Sequence, residues 1–96
     1  MPRSSRPAQW DDYVRELGLT LQRLRLALAL SQEDVAYAAG LTRSHYQQLE
    51  KGRSRPTASA NPSLLTLVAL ADVLNVPVQQ LLPAESPRRS DGTRAA

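Results

Sequence analysis

The sequence predicts an all-α domain of five helical stretches, and three observations carry that prediction. Sixteen Leu and thirteen Ala dominate the 96 residues, with no Ile and no Phe, so strong helix formers abound and the residues that sheets prefer are scarce. Apolar positions recur at spacings of three and four, and capping residues and glycines punctuate them. The length suits one small core rather than two. There is no Cys, and His45 is the single His. A disulfide framework, a thiolate metal site and a Cys–His nucleophile pair are therefore excluded. The expectation is a reduced domain without metal or cofactor, and not an enzyme.

Residues 1–10 read as a flexible N-terminal tail and residues 84–96 as a disordered C-terminal one, flanking a domain over 11–83. The first helix is placed from the acids Asp11-Asp12 to about Ala29. Val14, Leu17, Leu21, Leu24 and Leu28 form its inner face, and Gly18 sits within it at a cost of about 1 kcal/mol against Ala. Ser31 then caps a short helix over Gln32–Ala39, with Asp34 in the capping-box position and Gly40 as its stop. Thr42 caps a third helix from Arg43 to Lys51, stopped by Gly52. A breaker-rich loop follows, Arg53 to Ala60. Asn61-Pro62 is expected to open the fourth helix, with Leu64 or Leu65, Leu67, Val68, Ala71 and Leu74 facing inward and Asn75 at its end. Pro77 starts a last short helix carrying Val78, Leu81 and Leu82.

Residues 32–51 are the informative part. Two short helices joined by only a few residues around Gly40 must cross steeply rather than lie side by side. Such a crossing needs a small residue at the contact, a left-handed turn residue, an apolar plug after it and apolar inner faces. Ala36, Gly40, Leu41, and then Val35, Tyr46 and Leu49, meet those demands. With Tyr46 and Leu49 turned inward, Arg43, Ser44, Gln47 and Gln48 face outward. Arg43 suits the O6 and N7 of guanine, which its planar fork can bond together. Gln48 suits adenine N6 and N7, and Ser44 several bases. The plain alternative is a polar outer face such as any surface helix shows.

Ser31-Gln32-Glu33-Asp34-Val35-Ala36-Tyr37-Ala38-Ala39-Gly40-Leu41, followed by Leu49-Glu50-Lys51-Gly52, resembles the Cro/C1-type (XRE family) helix-turn-helix domain of phage repressors and their bacterial relatives. The resemblance runs from about residue 14 to 83, taking in Leu24-Arg25, Asn61-Pro62-Ser63-Leu64 and Ala71-Asp72-Val73-Leu74-Asn75-Val76. It implies a five-helix, lambda-repressor-like fold whose third helix lies in the DNA major groove, with Arg43, Ser44 and Gln48 at the principal base-contact positions and Gln47 beside them. It also implies that Gln32 bonds a backbone phosphate and that Arg25 pairs with Glu50 across the first and third helices. Lys51, Arg53 and Arg55 follow the reading helix and are candidate phosphate contacts, against the alternative of a merely solvated charged loop. Tyr37 is a further candidate for a phosphate, and His45 reads as surface packing. Two departures stand out: an insertion of about seven residues near 54–60, and Ala29 where the family often has Gly.

Net charge is a poor guide to the partner. The chain carries +3 overall, but residues 11–87 hold seven bases against eight acids, so the excess sits in the tails. The relevant charge is local: Arg43, Lys51, Arg53 and Arg55 against Glu50 alone, between residues 41 and 56. No secretory leader is visible, and the longest apolar run is Leu26–Leu30. That is far short of the roughly 18 residues of a membrane span, so a soluble cytoplasmic protein with no membrane partner is expected. The reading is a small transcriptional regulator, repressor or controller, that binds double-stranded DNA and takes no small-molecule ligand. One such domain covers a half-site, so a homodimer on a palindromic operator is expected, with Val76, Val78, Leu81 and Leu82 as its interface or simply as core closure. The competing reading is a protein-interaction adaptor, or an antitoxin-like partner, on the same fold. RNA binding lacks a stacking platform.

Overall fold

In the computed structural model, which describes residues 8–55 and 58–86, α1 spans Ala8–Ala27. It starts ahead of Asp11-Asp12, so Ala8, Gln9 and Trp10 belong to the helix and not to a tail. Trp10 stacks on Tyr13 one turn later, with ring centroids 5.8 Å apart, a local contact that supports the extra turn. Val14, Leu17 and Leu21 are buried as their spacing requires. Leu28 is not: the helix ends at Ala27, the chain reverses through Ala29 at φ 58°, and Leu28 is 46% exposed. Ala29 thus holds a left-handed conformation that glycine would adopt without strain.

α2 (Gln32–Ala39) and α3 (Arg43–Lys51) form the steep pair. Ser31 Oγ accepts from the Asp34 amide at 2.9 Å, and the Asp34 carboxylate accepts from the Ser31 amide at 3.0 Å, a reciprocal capping box. These bonds, the one from the Ser31 backbone first, hold the Asp34 carboxyl below the usual range. Gly40 turns the chain at φ 77°, and Thr42 Oγ1 accepts from the His45 amide at 3.0 Å to start α3.

The insertion after α3 is not an irregular loop. Arg53–Arg55 (β1) pairs antiparallel with Ala58–Ser59 (β2), with an irregularity between the two bridges. The ribbon lies against α1, where the Ser59 hydroxyl donates to the Asp11 carboxylate.

α4 spans Leu64–Leu74 and opens at Ser63, not at Asn61-Pro62. Ser63 Oγ accepts from the Thr66 amide at 3.1 Å, a bond the preceding proline cannot make. The side that faces in also differs from the expected one. Leu70, Ala71 and Leu74 are buried and Leu67 packs against them, whereas Leu64, Leu65 and Val68 are exposed. The expected fifth α-helix is a 3-10 turn, Val78–Leu81. Among the described residues the fold is therefore four α-helices and a 3-10 turn around one core, with the short ribbon at its edge. Tyr46, Leu21, Leu70, Leu81 and Val35 are its most deeply buried side chains. No helix among the described residues is long and apolar enough to cross a membrane.

Candidate nucleic-acid interface

At about 100° per residue, α3 has two sides. Tyr46 and Leu49 are 0% and 4% exposed and anchor it in the core. Arg43, Ser44, Gln47, Gln48 and Lys51 share the opposite arc: Arg43, Ser44 and Lys51 are exposed, and Gln47 and Gln48 are half-buried. The cap at Thr42 leaves the first-turn side chains at the helix's projecting end. Arg53, just past Gly52, is exposed. The Arg55 side chain, named as a phosphate contact, lies outside the described residues. Tyr37 on α2 is 86% exposed, and His45 is exposed beside the reading arc.

Two features fix α3 against α1. The first is backbone contact: a Cβ on Gly18 would lie 2.3 Å from the Glu50 carbonyl oxygen and 2.6 Å from that of Leu49. Only a residue without a side chain lets the helices come so near. Gly52 repeats the requirement at the end of α3, where φ is 75° and a Cβ would meet the Arg15 Cα at 2.9 Å.

The second is polar. Arg25 Nε donates to Glu50 Oε2 at 2.6 Å and Arg25 Nη2 to Oε1 at 3.2 Å, between side chains only 9% and 5% exposed. Arg25 Nη1 also donates to the Leu30 carbonyl at 3.0 Å, pinning the turn after α1. Two more donors converge on the same carboxylate: Tyr46 Oη at 2.5 Å and Gln32 Nε2 at 2.8 Å. Burial works against the Glu50 charge, but the bonds from Arg25, Tyr46 and Gln32 more than offset it, so its pKa lies below the ordinary value. The Glu50 bond likewise raises Arg25. Tyr46 is raised too, chiefly by burial and then by donating to Glu50. The one acid between residues 41 and 56 is thus neutralised on the protein's inner side.

Gln32 and Tyr46 are joined to this hub in a way the sequence reading did not include. The i, i+4 spacing of Tyr46 and Glu50, with a buried phenol that needs an acceptor, is the signal that points to the second. Gln32 is half-buried with one amide hydrogen committed to Glu50. Of the residues named as interface or core closure, Val76 and Val78 are partly buried against the core, Leu81 is 0% exposed and Leu82 is 38% exposed.

A short helix crossing onto a second, capped and polar-faced one is a helix-turn-helix. Residues 16–83 match the family model described as a helix-turn-helix domain, and the chain belongs to that family, in its Cro/C1-type branch. Among solved structures it is similar to the restriction-modification controller protein C.AhdI from Aeromonas hydrophila. The two are 33% identical, over 72% of this chain and 96% of that one, with a TM-score of 0.64. The biofilm master regulator SinR in complex with DNA is 26% identical, over 68% of this chain and 95% of that one, at a TM-score of 0.58. The hydroxypropylphosphonic acid epoxidase from S. wedmorenis is 19% identical, over 88% of this chain and 41% of that one, at a TM-score of 0.64. That likeness concerns fold alone. Comparison with curated proteins finds no match. The fold is that of helix-turn-helix DNA-binding transcription regulators.

Proposed function

We propose that the chain is a small, sequence-specific regulator of transcription that reads the major groove of double-stranded DNA with the N-terminal half of α3. The observation that carries this reading is the arc of Arg43, Ser44, Gln47 and Gln48 on a capped helix whose opposite side is fixed in the core. Side chains at such a helix start reach base edges. Arg43 supplies a bidentate fork for guanine and Gln48 an amide for adenine, while Ser44 and Gln47 complete the reading edge. Lys51, Arg53 and Arg55 lie on or just after α3 and supply the phosphate contacts that set register without reading sequence. Gln32 joins them through its remaining amide hydrogen. One domain covers a half-site, so the acting species is a homodimer on an inverted repeat, with half-sites about one helical turn apart. It acts in the cytoplasm.

The adaptor reading has less support, because a basic, polar reading arc with its single acid neutralised from behind suits an anionic partner. The test is duplex binding by Arg43→Ala. Loss of the fork is expected to cost about 1–3 kcal/mol on the preferred duplex and to relax choice at one base pair. Unchanged affinity and unchanged base preference would remove Arg43 from the reading set.

A further inference from the structure

The ribbon inserted after α3 is too small to hold its own shape. Its strands have three and two residues, and an isolated two-stranded ribbon is marginal in water. The body of the protein must therefore carry it, and does so at two places. At the base, the Ala60 amide donates to the Gly52 carbonyl at 2.9 Å, and Ala60 itself is buried in the core. Further out, β2 rests on α1, and the Ser59 hydroxyl donates to the carboxylate of Asp11 in the first turn of that helix. Asp11 and Ser59 are 48 residues apart in sequence. Neither belongs to the hydrophobic core or to the Arg25–Glu50 hub.

The register links that contact to the end of the reading helix. Ser59 is the cross-strand partner of Arg53, and residues so paired stand on one face of a ribbon. Arg53 is exposed and follows directly on Gly52, the stop of α3. Ordering a loose strand and a long side chain at the moment of binding costs affinity, so an arginine held in place beforehand grips better. We propose that Asp11 and Ser59 are positioning residues for DNA binding. Their hydrogen bond latches the ribbon to α1, so that Arg53 is pre-set against the phosphodiester backbone flanking the base pairs that α3 reads. The ribbon is then a backbone clamp and not a reader. The inference rests on the DNA-reading proposal and extends it to residues of α1 and β2 that act through Arg53. The sign of one effect sets it apart. An acid beside a phosphate-binding arginine repels the duplex, so charge alone predicts that removing Asp11 strengthens binding. The latch predicts the reverse.

The test measures affinity of the full chain, by fluorescence anisotropy across a salt series, for two duplexes. One is a duplex that wild type selects from a random pool, the other an unrelated duplex of equal length. Ser59→Ala and Asp11→Ala are each expected to weaken binding about three- to tenfold on both duplexes, the range that loss of one hydrogen bond implies. The slope of log affinity against log salt becomes shallower by up to about 0.9, the share of one phosphate. Asp11→Asn keeps an oxygen acceptor for the Ser59 hydroxyl and binds at least as tightly as wild type. Ser59→Ala placed on Arg53→Ala adds no further loss, because Ser59 acts through Arg53. Amide exchange without DNA reads the latch directly: ribbon amides exchange faster in Ser59→Ala while those of α3 do not, which separates a loosened ribbon from a loosened fold. A Ser59→Ala protein that binds like wild type, an Asp11→Ala protein that binds more tightly, or losses that add in full to that of Arg53→Ala would each overturn the latch. A wild type that binds no duplex overturns the DNA reading and the clamp with it. A wild type that binds, with Ser59→Ala indistinguishable from it, overturns the clamp alone.

Discussion

Gly18→Ala reverses the sign that helix propensity assigns to it. In the interior of a 20-residue helix, replacing Gly by Ala ordinarily stabilises by about 1 kcal/mol. Here the added methyl would meet two carbonyl oxygens of α3, at 2.3 and 2.6 Å, and the Glu50 carbonyl carbon at 2.8 Å. All three are backbone atoms of a helix, and none can swing aside as a side-chain tip would. Ordinary carbon–oxygen contact needs roughly an ångström more, so α1 and α3 must separate by about that much. Overpacking usually costs about 1–3 kcal/mol, and this case belongs at the upper end or beyond it because the displaced partner is backbone. Separation would also stretch the 2.6 Å Arg25–Glu50 bond. Set against the propensity gain, the net expectation is a loss of about 2 kcal/mol. That is roughly 8–16 °C in melting temperature for a domain of this size. Thermal and urea unfolding by circular dichroism measure it, with duplex affinity at a temperature where the variant stays folded as the second readout. A variant as stable as wild type, or more so, would refute the close-contact reasoning.

The remaining predictions concern charge. Arg25→Ala leaves the Glu50 carboxylate buried with only Tyr46 and Gln32 as donors, so a loss of about 3–5 kcal/mol is expected with base preference unchanged; a normal melt, or a changed preference, contradicts it. Glu50 and Asp34 have folded pKa values below their ordinary ones. Their stabilisation is therefore complete above the unfolded carboxyl range and is lost as pH falls through the folded values. Urea melts from neutral pH to about pH 3 should show this fall, and Glu50→Gln should flatten it; parallel curves for the two proteins refute the assignment. Tyr46 is raised, so its contribution is present below its usual pKa and declines as pH rises beyond it. Arg53→Ala is expected to weaken all duplexes alike and to make the salt dependence shallower, and a loss confined to one sequence would contradict a phosphate contact.

What could be read ahead of the structure follows from which signals are local. The caps at Ser31 and Thr42 and the stops at Gly40 and Gly52 are written in single residues whose chemistry has few other uses, so α2 and α3 stand where their sequence places them. The reading arc follows from them, because burying Tyr46 and Leu49 dictates the opposite side. α4 defeats the same logic. With nine apolar residues in eleven, every side of the helix offers apolar residues, so periodicity alone does not choose the inner face, and Leu64, Leu65 and Val68 are exposed while Leu70, Ala71 and Leu74 are buried. Ser63 competes with Asn61-Pro62 as a cap, and it is Ser63 Oγ that accepts from the Thr66 amide. The ribbon at Arg53–Arg55 and Ala58–Ser59 was invisible because three- and two-residue strands carry no period. Gly18 looked like a weakness of α1 because its reason lies in α3, more than thirty residues away in sequence.

Selection of bound duplexes from a random DNA pool by the full chain, followed by sequencing, tests the central claim most directly. The account predicts enrichment of an inverted repeat whose half-sites lie about one helical turn apart. It also predicts that Arg43→Ala loses the preference at one position of each half-site while Arg53→Ala keeps the same repeat. No enrichment over the starting pool at any salt concentration would contradict sequence reading by α3, and with it the proposed function.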